Sequence, residues 1–231
     1  MIRIFRRIAK VLRPAPRTLP SVDAYARWAS SYPPRPHNPL MQIEQRAMLD
    51  LLPELTGKDV LDLACGTGRY GVIAMERGAR HVVGLDNSLA MLRAGGLQRA
   101  ALATTEALPQ ASESIDVVIC AMALGHLPEL DLSLAEIGRV LRTGGTGLVS
   151  DFHPFAALSG GMRTFTAPDG QVYSVEHHVH LYSDYHHTAA AAGLQVTAVA
   201  EPALDRHIAP AGFAKTPVVI VYRFEKWVEQ D

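Results

Sequence analysis

The sequence has few cysteines and no long apolar run. Its two cysteines, Cys65 and Cys120, each stand at the end of a short apolar segment, and their spacing fits no metal-binding pattern. We therefore expect small buried side chains in a reducing compartment rather than a disulfide framework. The apolar runs are strand-sized, far short of the roughly 20 residues of a membrane span. These absences exclude a disulfide-rich secreted protein and a transmembrane protein, and they predict a soluble cytoplasmic one.

The sequence is also short of net charge, which is −1 from 22 Lys and Arg against 23 Asp and Glu. The balance is uneven, because residues 1–21 carry six basic residues and no acid. Apolar residues recur there at helical spacing and predict a basic amphipathic helix over residues 1–13. Three roles stay open for it: a loosely docked tail, contact with an anionic membrane surface, and an organelle transit peptide. The rest of the chain is acidic, so nucleic-acid binding is not expected.

Length and composition fit one α/β domain. At 231 residues and 48% apolar content, the chain is long enough to form a full core. We expect an N-terminal extension over residues 1–22 and a single domain over residues 23–231. Within that domain, residues 23–58 are predicted to form a lid and residues 153–182 an inserted cap.

A short apolar run followed by glycines predicts a nucleoside-binding pocket. Val60, Leu61 and Leu63 indicate a buried strand. Gly66 and Gly68 come directly after it, and a glycine lets the backbone approach a ligand where a Cβ atom would collide. The loop that these glycines form is the first part of a candidate binding site.

The second part of the candidate site is a pair of aspartates. Twenty residues after Gly66, another apolar run ends at Asp86, whose carboxylate can accept both hydroxyls of a ribose. Residues 66–71 also satisfy the Gly-x-Gly-x-x-Gly pattern of dinucleotide-binding proteins. Asp62, inside the first strand, argues against a dinucleotide because its carboxylate would repel a pyrophosphate. It favours a cationic ligand such as S-adenosylmethionine, which carries an ammonium and a sulfonium group and no phosphate.

Three further motifs follow the glycine loop in order. They are Glu-Ala-Leu-Pro at 106–109, Ser-Ile-Asp-Val-Val-Ile-Cys at 114–120 and Arg-Val-Leu-Arg-Thr-Gly-Gly at 139–145. With the glycine loop, and over about residues 40–153, the chain resembles the class I S-adenosylmethionine-dependent methyltransferases, particularly their small-molecule, type 11-like group. The resemblance implies S-adenosylmethionine as cofactor and S-adenosylhomocysteine as product.

The resemblance also carries over a set of cofactor-binding positions. The acid that the family presents to the adenine amino group falls on Thr104, or on Thr105 or Glu106 if the alignment is shifted. A helix that resembles the segment around Tyr25 closes over the cofactor in related enzymes, and an aromatic face can stabilise a sulfonium. The predicted cofactor-binding residues are Tyr25, Asp62, Ala64, Gly66, Gly68, Asp86, Asn87, Thr104, Thr105, Glu106 and Ala121.

Strand and helix patterns alternate from residue 59 onward and predict an α/β fold, a Rossmann-like seven-stranded, mostly parallel sheet with helices on both faces. The resemblance implies that the last strand is antiparallel. A hairpin is predicted in the cap around Asp169-Gly170, and a later helix should begin at an N-cap of Ser183 or Asp184 and end at Gly193. The predicted strands are 59–64, 81–86, 100–104, 115–121, 146–151, 194–200 and 217–225, and the predicted helices are 23–31, 40–52, 69–77, 88–95, 131–141 and 183–192.

Histidines stand where a base for methyl transfer is expected. His126 follows the fourth predicted strand and His153 the fifth, so both lie at strand ends that face the crevice, and we predict either as a catalytic base. No metal site is predicted among the cap histidines, because adjacent histidines of a strand point to opposite faces. The predicted substrate-binding residues are Arg163, His178, His180 and Tyr182.

The sequence thus predicts a methyltransferase that acts on a small, partly apolar organic substrate, with oxygen as the favoured acceptor. Nitrogen and carbon acceptors stay open. So do two other classes of protein, a cofactor-binding partner or sensor without methyl transfer and a nicotinamide-dependent reductase. The expected partner is the small-molecule substrate, with peripheral membrane contact through residues 1–13 as an option and no nucleic acid.

Overall fold

A computed structural model of the chain describes residues 15–33, 35–204 and 215–227. The predicted basic helix over residues 1–13 lies outside the described residues. Within them the strands form two sheets, one of seven strands and one of three. None of the helices in these ranges combines the length and apolar character needed to cross a membrane.

The large sheet contains the strands that the sequence predicts. Its strands are β2 (Asp59–Leu63), β3 (His81–Asp86), β4 (Ala100–Leu102), β5 (Ile115–Ala121), β6 (Leu141–Phe152), β9 (Leu194–Ala200) and β10 (Val219–Lys226). Their order across the sheet is β4-β3-β2-β5-β6-β10-β9. The helices of the chain are α1 (Ser21–Trp28), which a short 3₁₀ turn extends, α2 (Pro39–Leu51), α3 (Arg69–Glu76), α4 (Leu89–Ala94), α5 (Asp131–Val140), α6 (Pro154–Leu158) and α7 (Tyr182–Ala191).

Both faces of the large sheet are buried, which is why its central strands are apolar throughout. In β5, Val118 and Cys120 belong to the apolar cluster that α5 and α7 cover. Val117 and Ile119 point the other way and join the cluster that α2 and α3 cover. This alternation places the carboxyl ends of β2, β3 and β5 at one edge of a fully covered sheet, where open α/β sheets bind their ligands.

The last strand is antiparallel, as the resemblance implies. β10 lies between β6 and β9 and runs antiparallel to both. The sheet is therefore seven-stranded, mostly parallel and Rossmann-like, which confirms the predicted fold class. Four strands differ from their predicted bounds. β2 ends at Leu63 instead of residue 64, and β4 ends at Leu102 instead of residue 104. β6 covers Leu141–Phe152 instead of 146–151, and β10 covers Val219–Lys226 instead of 217–225.

The small sheet joins the cap to residues near the N-terminus. It consists of β1 (Arg17–Leu19), β8 (Val172–Val175) and β7 (Thr164–Thr166), in that order. The β7–β8 hairpin turns at Asp169-Gly170 as predicted, with Gly170 at a φ of +79° that favours glycine. β1 pairs with β8 in parallel, so the segment 17–22, which we assigned to an N-terminal extension, forms β1 and the start of α1.

Helix starts show where the sequence pattern succeeds and fails. α2 begins as its sequence indicates, because the Asn38 side chain accepts a hydrogen bond from the Met41 amide (2.9 Å) and Pro39 follows it. The predicted N-cap of α7 is wrong. The helix begins at Tyr182, and Asp184 lies inside its first turn, where its carboxylate accepts from the Leu181 amide (2.7 Å). Its end at Gly193, with a φ of +70°, is as predicted.

Candidate active site between the two sheets

A cavity of about 510 Å³ lies at the carboxyl ends of β2, β3 and β5. The large sheet supplies one wall, and α1 with the small sheet supplies the other. Ten of the predicted site residues line it. They are Tyr25, Asp62, Ala64, Gly66, Asp86, Asn87, Thr105, Ala121, His126 and Arg163.

The loop after β2 is bent by residues in the left-handed region. Ala64 has a φ of +53° and Gly66 a φ of +57°, a conformation that costs a residue with a Cβ atom. The Gly66 amide donates to Asp86 Oδ2 (2.7 Å), which ties the loop to the end of β3. Gly68 has a φ of +84°, and a Cβ atom there would collide with the Leu97 side chain, so both backbone and packing favour glycine, but this residue does not line the cavity.

Asp62 is a buried carboxylate with one hydrogen bond from the described residues. The Gly71 amide donates to its Oδ2 (2.7 Å) at the start of α3. Burial raises the pKa of Asp62 from 3.8 to about 7, in spite of that bond and the nearby Arg69 charge. A cation placed beside this carboxylate would stabilise its ionised form and lower the pKa again. Asp62 is therefore suited to an ammonium group.

Asp86 has a different environment at the end of β3. Its two oxygens accept from the amides of Gly66 (2.7 Å) and Ser88 (2.7 Å), so its position is fixed from both sides. Burial raises its pKa, and the two hydrogen bonds oppose the shift. Each oxygen keeps a lone pair for a further donor. Asn87 follows it, exposed at the cavity edge.

Of the three candidates for the adenine position, the structure brings one to the cavity. Thr105 lines it, and its hydroxyl is hydrogen-bonded to the buried Ser133 hydroxyl (2.8 Å). Thr104 is exposed in a bridge to Ala107, and Glu106 faces a separate surface depression. The shifted alignment onto Thr105 is the one that the geometry favours.

His126 lies on the cavity wall in a fixed tautomer. Its Nδ1 is 2.7 Å from the carbonyl of Glu176, which can only accept, so Nδ1 carries the proton and Nε2 the lone pair. Nε2 accepts from Arg163 Nη1 (2.9 Å) and from the Tyr25 hydroxyl (3.3 Å). Burial, followed by the Arg163 charge, holds the pKa of His126 well below 6.5. The ring is therefore neutral, with its lone pair already occupied.

Arg163 is the centre of this network on the cap side. Its Nη1 also donates to the Met122 carbonyl (2.8 Å), and its Nη2 donates to the Tyr25 hydroxyl (2.7 Å). Met122, directly after β5, has a φ of +57°, which turns its carbonyl towards Arg163. Residues from α1, the cap and the end of β5 thus meet at one guanidinium.

The other predicted catalytic and substrate residues lie away from the cavity lining. His153 is fully buried, accepts from the Phe155 amide (3.1 Å) at the start of α6, and pairs with Glu201 (2.9 Å). The Tyr182 hydroxyl is bonded to the same histidine and glutamate. These contacts give both residues structural roles at the surface behind α6, so we do not retain His153 as a catalytic base or Tyr182 as a substrate contact.

His178 and His180 also make contacts within the protein and do not line the cavity. The His178 amide donates to the Gly125 carbonyl (2.7 Å), and its ring lies 3.8 Å from the Glu176 carboxylate. His180 is buried and bonded to the Leu127 carbonyl (2.9 Å). Both fasten the cap to the loop after β5. Of the predicted substrate contacts, only Arg163 reaches the cavity.

The sequence interpretation missed one buried cluster of the cavity wall. Glu44 of α2 is fully buried and accepts from the hydroxyls of Tyr70 (2.8 Å) and Ser150 (2.9 Å) and from Arg69 Nη2 (2.9 Å). Its acid group lies on the apolar side of α2, three and four residues before the buried Ala47 and Met48. An acid in an apolar stripe is a sequence signal of a satisfied buried charge, and it could have been noticed.

Aromatic residues from the predicted lid complete the wall. Tyr25, Trp28 and Tyr32 all line the cavity. Trp28 stacks on Phe165 of β7 with ring centroids 4.9 Å apart, which fixes α1 on the small sheet. Burial raises the pKa of Tyr32 to about 12, so its hydroxyl stays protonated. These side chains form a face that excludes water from the acidic strand ends.

The arrangement fits S-adenosylmethionine. Asp62 offers an ionisable carboxylate whose burial calls for a cation, Asp86 offers two positioned acceptors for vicinal hydroxyls, and Thr105 offers a hydroxyl one strand further along. The φ of Gly66 and the absence of its Cβ let the loop between them come close to a ligand. The three groups belong to β2, to the end of β3 and to the loop after β4, which are neighbouring strands of the large sheet.

Comparison with known proteins agrees with this assignment. Residues 61–149 match the family described as a methyltransferase domain, of type 11. A malonyl-[acyl-carrier protein] O-methyltransferase of Salmonella typhimurium is 37% identical over 126 residues, which cover 53% of this chain and 49% of that protein. A demethylmenaquinone methyltransferase of Renibacterium salmoninarum is 36% identical over 115 residues, 48% of each chain. The chain spans about half the length of the curated relatives that it matches.

The fold is shared more widely than the sequence. The crystal structure of an S-adenosylmethionine-dependent methyltransferase from Mesorhizobium loti has a TM-score of 0.66 at 20% identity, over 79% of this chain and 97% of that chain. Together with the family match, this confirms the predicted resemblance to the class I S-adenosylmethionine-dependent methyltransferases. The matched residues 61–149 end before the cap begins.

Proposed function

We propose that this chain, which carries a methyltransferase domain over residues 61–149, transfers a methyl group from S-adenosylmethionine to a small organic molecule. The observation that carries the proposal is the pair of buried carboxylates, Asp62 and Asp86, at adjacent strand ends on one cavity wall. Asp62 binds the ammonium group of the cofactor, Asp86 accepts from the ribose hydroxyls, and Thr105 accepts from the adenine amino group. When bound, the cofactor supplies an electrophilic methyl group on a positively charged sulfur.

The chain's contribution to the reaction is positioning. In-line displacement needs the acceptor atom held on the side of the methyl group, and orientation alone can contribute about 7 to 11 kcal/mol. Tyr25, Trp28 and Tyr32 cover the cavity and exclude water, while the network of Arg163 and His126 faces the space that remains for a substrate. The wall is aromatic with few polar groups, which suits a small, partly apolar molecule.

Oxygen is the acceptor that we propose, with nitrogen and carbon as alternatives. The names of two relatives support a small organic substrate, since one acts on malonyl-[acyl-carrier protein] and the other on demethylmenaquinone. The first is named as an O-methyltransferase. Polar donors at the substrate side, the Arg163 guanidinium and the Tyr25 hydroxyl, are groups that bind oxygen.

A second candidate is a protein that binds the cofactor without methyl transfer. The observation that favours it is the occupied lone pair of His126, because this imidazole is then not a free base beside Arg163. Such a protein would bind S-adenosylmethionine but show no turnover with any acceptor. Membrane contact through residues 1–13 remains a separate proposal, based on their charge and apolar spacing.

The test is calorimetric titration of the purified chain with S-adenosylmethionine and S-adenosylhomocysteine, with NADH as the negative control. We expect saturable binding of the first two and none of NADH. Turnover is then followed as release of S-adenosylhomocysteine with a panel of acids, phenols, quinols and amines. A folded chain that binds neither S-adenosyl compound would contradict the proposal, and binding without turnover across the panel would favour the second candidate.

A further inference from the structure

Arg163 is a cation on the cavity wall without an acidic partner among the described residues. None of the ion pairs found in residues 15–33, 35–204 and 215–227 includes it. Its three partners there are neutral: the Met122 carbonyl, the Tyr25 hydroxyl and the His126 ring. A partly buried guanidinium that is solvated only by neutral groups is poorly compensated and attracts an anion.

The groups around this guanidinium compensate its charge only in part. His126 is neutral, and His177, from the segment after β8, adds no negative charge. Burial lowers the pKa of His177 to about 4, so this ring is neutral as well. The acidic side chains that line the cavity, Asp62 and Asp86, belong to the opposite wall.

The buried Asp151 of β6 is near enough for the Arg163 charge to lower its pKa, although burial raises that pKa overall, but it forms no ion pair with Arg163. Its oxygens accept instead from the Tyr185 hydroxyl (2.8 Å) and the Phe152 amide (2.7 Å).

Arg163 is held in place by the small sheet. Its carbonyl accepts from the Val175 amide of β8 (2.9 Å), which fixes the residue at the start of the hairpin. The next residue of the same strand end, Glu176, orients His126 through its carbonyl and is itself held by the Leu19 carbonyl of β1 (2.9 Å). Two backbone anchors thus set the guanidinium and the imidazole relative to each other. An arginine with no role beyond the surface would not need these two backbone hydrogen bonds.

We propose that Arg163, positioned by the Tyr25 hydroxyl beside it, is the receptor for a carboxylate of the substrate, and that this carboxylate is the methyl acceptor. The inference rests on the proposed function and specifies its substrate class as organic acids. The carboxylate oxygen forms the bond to the methyl carbon, the carbon–sulfur bond breaks, and its electron pair stays on sulfur. The products are a neutral methyl ester and a neutral thioether, and no proton is released.

The state of His126 favours a carboxylate over an alcohol or an amine, because this imidazole is not a free base beside Arg163 and Asp62 is assigned to the ammonium group of the cofactor. A protonated acceptor needs a base in the transition state, and His126 Nε2 already accepts two hydrogen bonds. A carboxylate, with an ordinary pKa of about 4, is ionised at neutral pH and needs no base. Its two oxygens also match the planar fork of a guanidinium. His126 is thereby a positioning residue that orients Arg163.

The first test measures binding without turnover. The chain loaded with S-adenosylhomocysteine, which has no methyl group to give, is titrated with acetate, benzoate and octanoate and with the matching amides. We expect carboxylates to bind and amides not to bind. Arg163→Met should weaken carboxylate binding by roughly 10- to 100-fold, since a hydrogen-bonded charge is lost. Arg163→Lys should retain part of it, and Arg99→Met, at an exposed arginine, should change nothing.

Binding of S-adenosylhomocysteine is measured separately in each variant, so the two proposals fail in different ways. If the unmodified chain does not bind S-adenosylhomocysteine, the proposed function is wrong. Three outcomes with normal S-adenosylhomocysteine binding would overturn the role of Arg163. They are amides that bind as tightly as the acids, no binding of any carboxylate, and a carboxylate affinity of Arg163→Met equal to that of the unmodified chain. If Arg163→Met does not fold, Tyr25→Phe keeps the charge and removes its hydroxyl partner, and an unchanged carboxylate affinity then contradicts the proposed receptor.

Turnover gives an independent readout. With a carboxylate acceptor and saturating S-adenosylmethionine, kcat should stay level from about pH 6 to 9, since the bound ammonium keeps Asp62 ionised and no base has to lose a proton in that range. A rate that rises across this range with a single inflection would show that a base is required, and it would overturn the proposed acceptor.

Discussion

The two walls of the cavity carry opposite charges and come from different sheets. The large sheet presents Asp62 and Asp86 at the ends of β2 and β3, and both are held by backbone amides. The small sheet presents Arg163, held by the Met122 carbonyl, the Val175 amide and neutral side chains. The acidic wall suits the cationic cofactor and the basic wall an anionic substrate. The charge of each wall therefore favours one of the two ligands over the other.

The two walls also differ in whether they lie within the region that matches the family. The family match ends at residue 149, within β6, and every carboxylate of the acidic wall lies before that point. Arg163 and the small sheet lie outside it. Variants on the acidic wall should therefore affect cofactor binding alone, and variants on the other wall should spare it.

The largest effect is expected from Asp86→Ala. The substitution removes the acceptor of the Gly66 and Ser88 amides as well as the proposed contact with the ribose. Loss of two hydrogen bonds to a charged group should weaken S-adenosylhomocysteine binding by about 100-fold or more in calorimetry. Asp86→Asn keeps one oxygen acceptor and should be intermediate. Unchanged affinity in Asp86→Ala would remove the acidic wall from the cofactor site.

Gly125→Ala tests how the cap packs on the loop after β5. A Cβ atom there would lie 2.6 Å from both Asp151 Oδ1 and His177 Nδ1, so the cap must shift. We expect a loss of about 1 to 3 kcal/mol in the free energy of unfolding, as for overpacked cores. Turnover should fall while S-adenosylhomocysteine affinity stays the same. A parallel loss of affinity would mean that the two walls do not act separately.

Asp62→Asn tests the charge of the acidic wall. We expect about a tenfold loss of S-adenosylhomocysteine affinity, because the ion pair with the ammonium group is missing. In the ligand-free chain, burial raises the pKa of Asp62 from 3.8 to about 7, so its protonated form favours the folded state. The free energy of unfolding should therefore fall as the pH rises from about 4 to 7, and Asp62→Asn should lack this fall.

Ligand binding gives a second readout for Asp62. An ammonium beside it lowers its pKa, so binding at pH 6 should release protons from the unmodified chain and none from Asp62→Asn. Calorimetry in buffers of different ionisation enthalpy measures that release. Equal proton release in both proteins would assign the proton to another group.

The smallest effect is expected from His126→Ala. As a positioning residue it should change the KM for an acid substrate by several-fold and kcat by less than tenfold. A general base would contribute about 100- to 10,000-fold in kcat. His187→Ala, an exposed histidine of α7, is the matched control. A kcat loss beyond 100-fold, with a new pH dependence, would return His126 to the catalytic role that the sequence indicated.

The sequence predicted the acidic wall well because its signals are local. β3, β5 and β9 have the expected bounds, and the glycine loop and Asp86 lie where the motif places them. The other wall depends on contacts between distant backbone atoms. Nothing in the short run Arg17–Leu19 indicates that it pairs with β8, and no sequence pattern reveals that the Glu176 carbonyl fixes a tautomer of His126.

The histidines show the same limit. His126 and His153 have equivalent positions after neighbouring strands, and the sequence could not separate them. The structure does so through their partners, because His126 faces Arg163 in the cavity whereas His153 caps α6 and pairs with Glu201. Which side of a loop a histidine points to is decided by the cap that packs on it, and this is a tertiary property.

The parallel pairing of β1 with β8 has a consequence for protein engineering. The hydroxyls of Thr18 and Ser174, separated by 156 positions, are 2.8 Å apart across these two strands. A chimera that exchanges residues 153–182 alone for those of another enzyme would leave β1 and the aromatic helix after it without their matching surface. Transplanting a new substrate preference onto this scaffold therefore requires two donor segments, residues 17–28 and residues 153–182, exchanged together.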